Sequence, residues 1–243
     1  MIVDSHNHVG GPDRRDRKKQ SPEGIVAAMR AADVDRAIIF PFSEVSPGVS
    51  FSKANDYIAK AAEAYPEKLI GFARLDPNYK EKALAELERA ICKLGLKGIK
   101  LHPDAQKFSL GDSFVVKILE KASELDVPVI FDSGGKLSQP KFFEPLAKQV
   151  SGAKIIMAHM WGKGYLEIAE KFDNIYLGTA GMFNLKKLRE ALDRLDAEKI
   201  IAGSDSPYFK MYREVQKIDT IPGIKRKEKE LILGENIRNL LLR

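Results

Sequence analysis

Apolar and polar positions along this chain are organised on two scales. Short β-branched runs at 2–4, 36–40, 69–73, 98–101, 127–131, 154–158, 175–177 and 199–202 are continuously apolar or nearly so, the pattern of strands buried on both faces. Between them lie stretches whose apolar residues recur at helical spacing, at 22–32, 52–65, 80–94, 113–125, 140–150, 165–172, 185–195 and 225–242. Local chemistry punctuates these stretches. Ser21 is a cap followed by Pro22 in the first turn, Pro66 closes the second helix, and Gly95 stops the third. Buried strands alternating with helices predict a parallel sheet covered by helices. Eight such units in 243 residues predict an α/β fold, a single (β/α)8 TIM-type barrel making one domain over 1–243.

Composition excludes more than it selects. There is one cysteine, Cys92, so no intrachain disulfide can form; it falls in the apolar pattern Leu87, Ala90, Ile91, Leu94 and reads as a core or boundary thiol. No run of eighteen apolar residues occurs, and the first residues lack the charged and apolar regions of a signal peptide. A cytoplasmic protein without a membrane partner is therefore expected. The net charge of +6 is mild, and bases are interspersed with acids, as at 225–230. A small, anionic substrate is expected rather than a nucleic acid, and a homo-oligomer is compatible with the pattern.

The chemistry becomes visible when only the strand ends are read, because barrels of this kind place their active sites there. His6 and His8 follow the first strand, Lys100 and His102 end the fourth, Asp132 follows the fifth, His159 the sixth and Asp205 the eighth. All four histidines of the chain thus fall on one rim. The His-x-His pair is the strongest element: two residues apart on an extended segment, both rings point the same way and can share one ion. The eighth strand closes against the first, so Asp205 lies across the seam, where a carboxylate completes coordination at about 2.0–2.2 Å. Each residue has a bland reading beside this one. Asp205 in Ser204-Asp205-Ser206-Pro207 has turn chemistry, and Asp132 before Ser133-Gly134-Gly135 suits an Asx turn. Lys100 reads equally as a buried ion-pair partner, an anion contact or a carbamate carrier. The charged loop 10–20, with Arg14, Arg15 and Arg17, reads as a substrate-gripping mobile lid or as a solvated, disordered segment. Trp161, Phe183, Tyr208 and Phe209 near the same rim read as pocket wall or plain packing.

Taken in order, Asp4-Ser5-His6-Asn7-His8, Gly98-Ile99-Lys100-Leu101-His102-Pro103, Ile155-Ile156-Met157-Ala158-His159-Met160-Trp161-Gly162, Ala202-Gly203-Ser204-Asp205-Ser206-Pro207-Tyr208 and Ile232-Leu233-Gly234-Glu235-Asn236-Ile237 resemble the amidohydrolase superfamily, in its amidohydrolase 2 branch with the aminocarboxymuconate-semialdehyde decarboxylase-like enzymes. The resemblance implies a distorted barrel holding one or two divalent ions, with His6, His8, His159 and Asp205 as ligands and Asp205 also moving protons. Where the branch carries a histidine after the fifth strand, this chain has Asp132, a harder donor that favours Mn²⁺, Fe²⁺ or Mg²⁺ more than an imidazole would. Zn²⁺ is the expected ion, with Mn²⁺, Fe²⁺ and Mg²⁺ as alternatives. The expected reaction is hydrolysis of a small ester, lactone or amide by a metal-activated water, with Asp205 and His159 catalytic and Lys100, His102 and Arg14 holding the substrate. The alternatives are a decarboxylase on the same scaffold, a TatD-like nuclease, and a non-enzymatic barrel.

Overall fold

The computed structural model describes residues 1–242. Among the described residues nine strands occur: β1 (Val3–Val9), β2 (Arg36–Pro41), β3 (Leu69–Gly71), β4 (Ala73–Arg74), β5 (Ile99–Leu101), β6 (Val129–Phe131), β7 (Ile155–Met157), β8 (Ile175–Gly178) and β9 (Ile200–Ile201). Among the described residues these strands pair only in parallel, in the ladders β1-β2-β3 and β4-β5-β6-β7-β8-β9. Only Phe72 separates β3 from β4, and its N–H donates to the Ile39 carbonyl at 2.8 Å, so the two are one interrupted strand and the barrel has eight strand positions. The ring is joined at the other end by backbone hydrogen bonds rather than a full ladder. Ser5 N–H donates to Ala202, Asp205 N–H to His6 and His8 N–H to Ser206, at 3.0, 2.9 and 2.8 Å.

Side-chain alternation builds two cores. Outward residues such as Ile39, Ile99, Val129, Phe131 and Ile155 meet the helices, while Ile38, Phe40, Phe72, Ile130, Ile156 and Ile201 fill the barrel. One inward layer runs in register through Arg74, Lys100, Ile130, Ile156 and Tyr176. Two of its members are cations, both wholly buried.

The helices arise where the pattern places them. α1 (Pro22–Ala32) starts at Ser21, whose hydroxyl accepts from Gly24 N–H, and buries the stripe Ile25, Val26, Met29 and Ala32. α2 (Ser52–Ala64) carries Asn55, whose side chain stands in for a neighbouring strand at β4: Oδ1 accepts from Arg74 N–H at 2.8 Å and Nδ2 donates to the Arg74 carbonyl at 3.1 Å. α3 (Glu81–Glu88) continues into a π-turn at Arg89–Lys93, and here the sequence expectation is corrected: Cys92 is exposed. The wider turn rotates the following side chains off the α-helical stripe on which Cys92 would face inward. Two further differences have equally plain causes. β1 runs to Val9, well past residue 4, because its polar half is buried at the rim. A helix at Met211–Asp219, absent from the sequence reading, escapes the hydrophobic pattern because its buried face carries Glu214 and Lys217. These two pair with each other, Glu214 accepts from the Thr179 hydroxyl, and Lys217 donates to the Thr179 carbonyl at 2.8 Å. Among the described residues no helix is long and apolar enough to cross a membrane.

Asn55→Ala strands both backbone groups of Arg74 and frees Glu86 from its amide partner. Urea denaturation of that variant is expected to show a loss of about 1–3 kcal/mol.

Candidate functional site

β1 carries His6 and His8 to the rim on the same side of the strand. Both rings stand edge-on to Phe40, each centroid 4.9 Å from it, so one phenyl ring sets the tilt of two imidazoles. Asp205 arrives from the segment after β9 with φ at +62, a left-handed conformation rarely adopted by residues with a side chain. Its N–H donates to the His6 carbonyl at 2.9 Å, and Gly203 just before it has no room for a Cβ, which would lie 2.8 Å from the Cβ of His6. Asp205 Oδ1 is thereby held 3.5 Å from His6 Nε2 and 3.2 Å from His8 Nε2.

These three atoms fit a divalent ion. Ligands bound tetrahedrally at about 2.0–2.1 Å lie about 3.3 Å from one another. Burial, reinforced by Lys100, holds the His6 imidazole well below its usual range, and burial outweighs Asp205 to lower His8 as well. Both rings are therefore neutral, the form that ligates. His6, His8 and Asp205 form the one group of this kind among the described residues.

Asp132 and His159 form a neighbouring pair outside that group. His159 Nδ1 donates to the Ala180 carbonyl at 2.8 Å, which leaves the Nε2 lone pair facing Asp132 Oδ2 at 3.3 Å. Two acceptors face each other there, an arrangement that calls for a cation between them or a proton on the ring. The His159 ring lies flat on Trp161, at 4.1 Å and 10°. His102 is committed elsewhere: its Nδ1 accepts from Ala105 N–H at 3.3 Å, so Nε2 carries the hydrogen and faces Asp132 Oδ2 at 3.4 Å. Burial by itself would raise the Asp132 carboxyl, but His102, His159 and Lys100 together bring it below the usual carboxylate range.

Lys100 lies beneath the site rather than in the cleft, its Nζ 3.3 Å from His6 Nε2. Burial pushes its ammonium down to about 8 against the pull of Asp132 and Asp205. Arg14, expected to hold substrate, turns away and donates to the Val45 carbonyl at 3.3 Å; Arg15 is the arginine that lines the cleft. The reason is the loop's fold. Gly10 and Gln20 bridge its base, and Asp13 accepts from Ser43 N–H and Arg15 N–H, so the loop is strapped down rather than free as a lid.

The cleft above these groups has a volume of about 460 Å³ and an aromatic wall of Trp161, Tyr208 and Phe209. Phe183 packs on Phe209, with ring centroids 5.0 Å apart, from outside. Ser43 and Asp104 also line the cleft and were not singled out from sequence, although both follow strand ends. Asp104 ties the loop after β6 to that after β5 by accepting from Leu137 N–H and the Ser138 hydroxyl at 3.0 and 2.8 Å.

Adding Mn²⁺ or Zn²⁺ at about a hundred times its dissociation constant is expected to raise the unfolding temperature by about 5–10 °C. The His6→Ala/His8→Ala variant is expected to show no such rise in the same thermal scan.

The 2-amino-3-carboxymuconate-6-semialdehyde decarboxylase of Dictyostelium discoideum is 30% identical over 94 residues, a match covering 37% of this chain and 26% of that protein. The 5-carboxyvanillate decarboxylase of Sphingomonas paucimobilis superposes with a TM-score of 0.81 at 16% identity, covering 100% of this chain and 99% of the other. A dihydroxybenzoic acid decarboxylase from Polaromonas sp. JS666, solved with manganese and the inhibitor 2-nitroresorcinol, gives 0.80 at 18% identity over 99% and 96% of the two chains. Hydrolysis of an ester, lactone or amide, the reaction expected from sequence, is overturned by these relatives, which are decarboxylases. The amidohydrolase family model matches residues 3–243, and the chain belongs to that family.

Proposed function

We propose that this protein is a metal-dependent decarboxylase of a small aromatic or unsaturated carboxylic acid. The observation that carries the reading is that His8 and Asp205, two members of the group they form with His6, line a cleft with an aromatic wall and an arginine at its edge. The matched relatives support it, since each is named for loss of a carboxylate from such an acid. His6, His8 and Asp205 would hold the ion, with Asp132 and His159 beside them. The mixture of imidazoles and carboxylates suits Zn²⁺ or Mn²⁺, and Asp132 in place of an imidazole weights it toward Mn²⁺. When bound, the ion supplies a Lewis acid for an anionic oxygen of the substrate.

Decarboxylation exchanges one carboxylate for one proton. The proton joins the carbon that bore the carboxylate, the carbon–carbon bond breaks, its electron pair stays with that carbon, and carbon dioxide leaves; nothing is oxidised or reduced. The chain must therefore place the ring, attract the acid and deliver the proton. Trp161, stacked on His159, offers a flat apolar face for the ring, with Tyr208 and Phe209 opposing loss to solvent. Arg15 draws the anion in. Asp205 is the proton carrier in this reading, partly buried at the cleft floor with its carboxyl facing His8 Nε2 at 3.2 Å. His159, with Nδ1 tied to Ala180, orients Nε2 toward the reacting group.

The test is carbon dioxide release by Mn²⁺-loaded protein from 2,6-dihydroxybenzoate, 5-carboxyvanillate and 2-amino-3-carboxymuconate-6-semialdehyde. Turnover of at least one acid is expected. Asp205→Asn is expected to lower kcat by about a hundredfold or more with an unchanged circular dichroism spectrum. No carbon dioxide from any of the three acids would sink the reading.

A further inference from the structure

Arg74 is wholly buried in the barrel, beside Lys100 in the inward layer. Its Nη1 donates to the Pro41 carbonyl at 3.0 Å and its Nη2 to the Ser43 hydroxyl at 2.6 Å, and the guanidinium lies over the Phe51 ring. Its Nε has no partner, and among the described residues no carboxylate pairs with it. Burial pushes the group down to about 10, although Asp13 and then Asp132 pull the other way. A buried cation without a paired anion is costly to a fold, and such a cost is retained where the charge is used.

The path from this charge to the cleft is one residue long. Ser43 lines the cleft, and both its backbone groups are tied down, N–H to Asp13 Oδ2 at 3.0 Å and carbonyl to Arg14 N–H at 3.1 Å. Its hydroxyl oxygen already accepts from Arg74, and its hydroxyl hydrogen has no acceptor among the described residues. A hydroxyl that accepts from a guanidinium becomes a stronger donor in turn. On the decarboxylase reading, we propose that the Ser43 hydroxyl, backed by Arg74, binds an anionic oxygen of the substrate and selects acids over neutral analogues of the same shape. Arg15, whose side chain is 60% exposed, is screened by water and suits steering. Selection falls to Ser43 and Arg74, whose charge is hidden from solvent.

The test separates binding from turnover. Dissociation constants of benzoate, 2,6-dihydroxybenzoate and 5-carboxyvanillate, and of their neutral amides, are measured by calorimetry on Mn²⁺-loaded wild type, Ser43→Ala and Ser43→Thr. Ser43→Ala is expected to bind the acids at least tenfold more weakly and the amides unchanged. Ser43→Thr, which keeps the hydroxyl, is expected to stay within threefold of wild type. Equal acid binding by wild type and Ser43→Ala overturns the proposal and leaves the Arg74–Ser43 bond a structural contact. Failure of the wild type to bind any of the acids overturns it too. Acid binding that depends on Ser43 without release of carbon dioxide upholds this proposal and removes the decarboxylase reading instead.

Discussion

The seam between β1 and the segment after β9 is the constraint on which the rest of the structure depends. Closing the ring and assembling the candidate metal group are the same event there. The hydrogen bond from Asp205 N–H to the His6 carbonyl closes the seam and also sets the reach of the Asp205 carboxylate toward both imidazoles. Asp4 fastens the two sides from below, its Oδ1 accepting from His6 N–H at 3.1 Å and Ser204 N–H at 2.9 Å. Burial raises the Asp4 carboxyl, and these donors, all from the seam, work against that rise. Gly203 permits the close approach, and the left-handed backbone at Asp205 turns the chain back over the rim. Such strain persists only where many contacts over-determine it, as the seam does.

The barrel interior under this rim is unusual in its charge. Most inward positions are aliphatic or aromatic, yet Arg74 and Lys100 sit side by side in the same layer. Above them lie Asp132 and Asp205: Asp132 pulls against the burial of both cations, and Asp205 against that of Lys100. In water these charges would be screened to little, whereas in the barrel interior they act on one another at much greater strength. Burial is the main cause that holds His6 and His8 neutral, whereas Asp132 stays ionised because His102, His159 and Lys100 together outweigh its burial. The tautomers are divided in the same way: His102 spends its hydrogen on Asp132, while His159 spends its own on Ala180 and keeps its Nε2 lone pair for the site.

Much of this was legible in the residues. Continuous apolar strands and amphipathic helices reported the barrel because both faces of a parallel strand are buried and one face of each helix is. The rim was legible because imidazoles and carboxylates fell after strands whose ends share one side of the ring. What periodicity could not report were the places where burial and polarity coincide. The helix Met211–Asp219 was hidden by Glu214 and Lys217 on its inner face, and the second half of β1 by its polar residues. Cys92 left its expected stripe because a π-turn changes the phase of a helix without changing its composition.

By itself, then, the sequence determined the class of fold and brought forward one rim with His6, His8, Asp132, His159 and Asp205 as candidates for a metal group. The tertiary structure decided how they divide, with His6, His8 and Asp205 in one group and Asp132 and His159 beside it. It also decided that Arg15 rather than Arg14 faces the cleft, and that Lys100 lies below it. The physical reason is the range of the interactions involved. Strand and helix periodicity depends on near neighbours in the chain, so it can be read in order. The direction of a side chain at a loop, and the protonation of a buried group, depend on partners 30 or 200 residues away, such as Ser43 for Asp13 and Ser204 for Asp4.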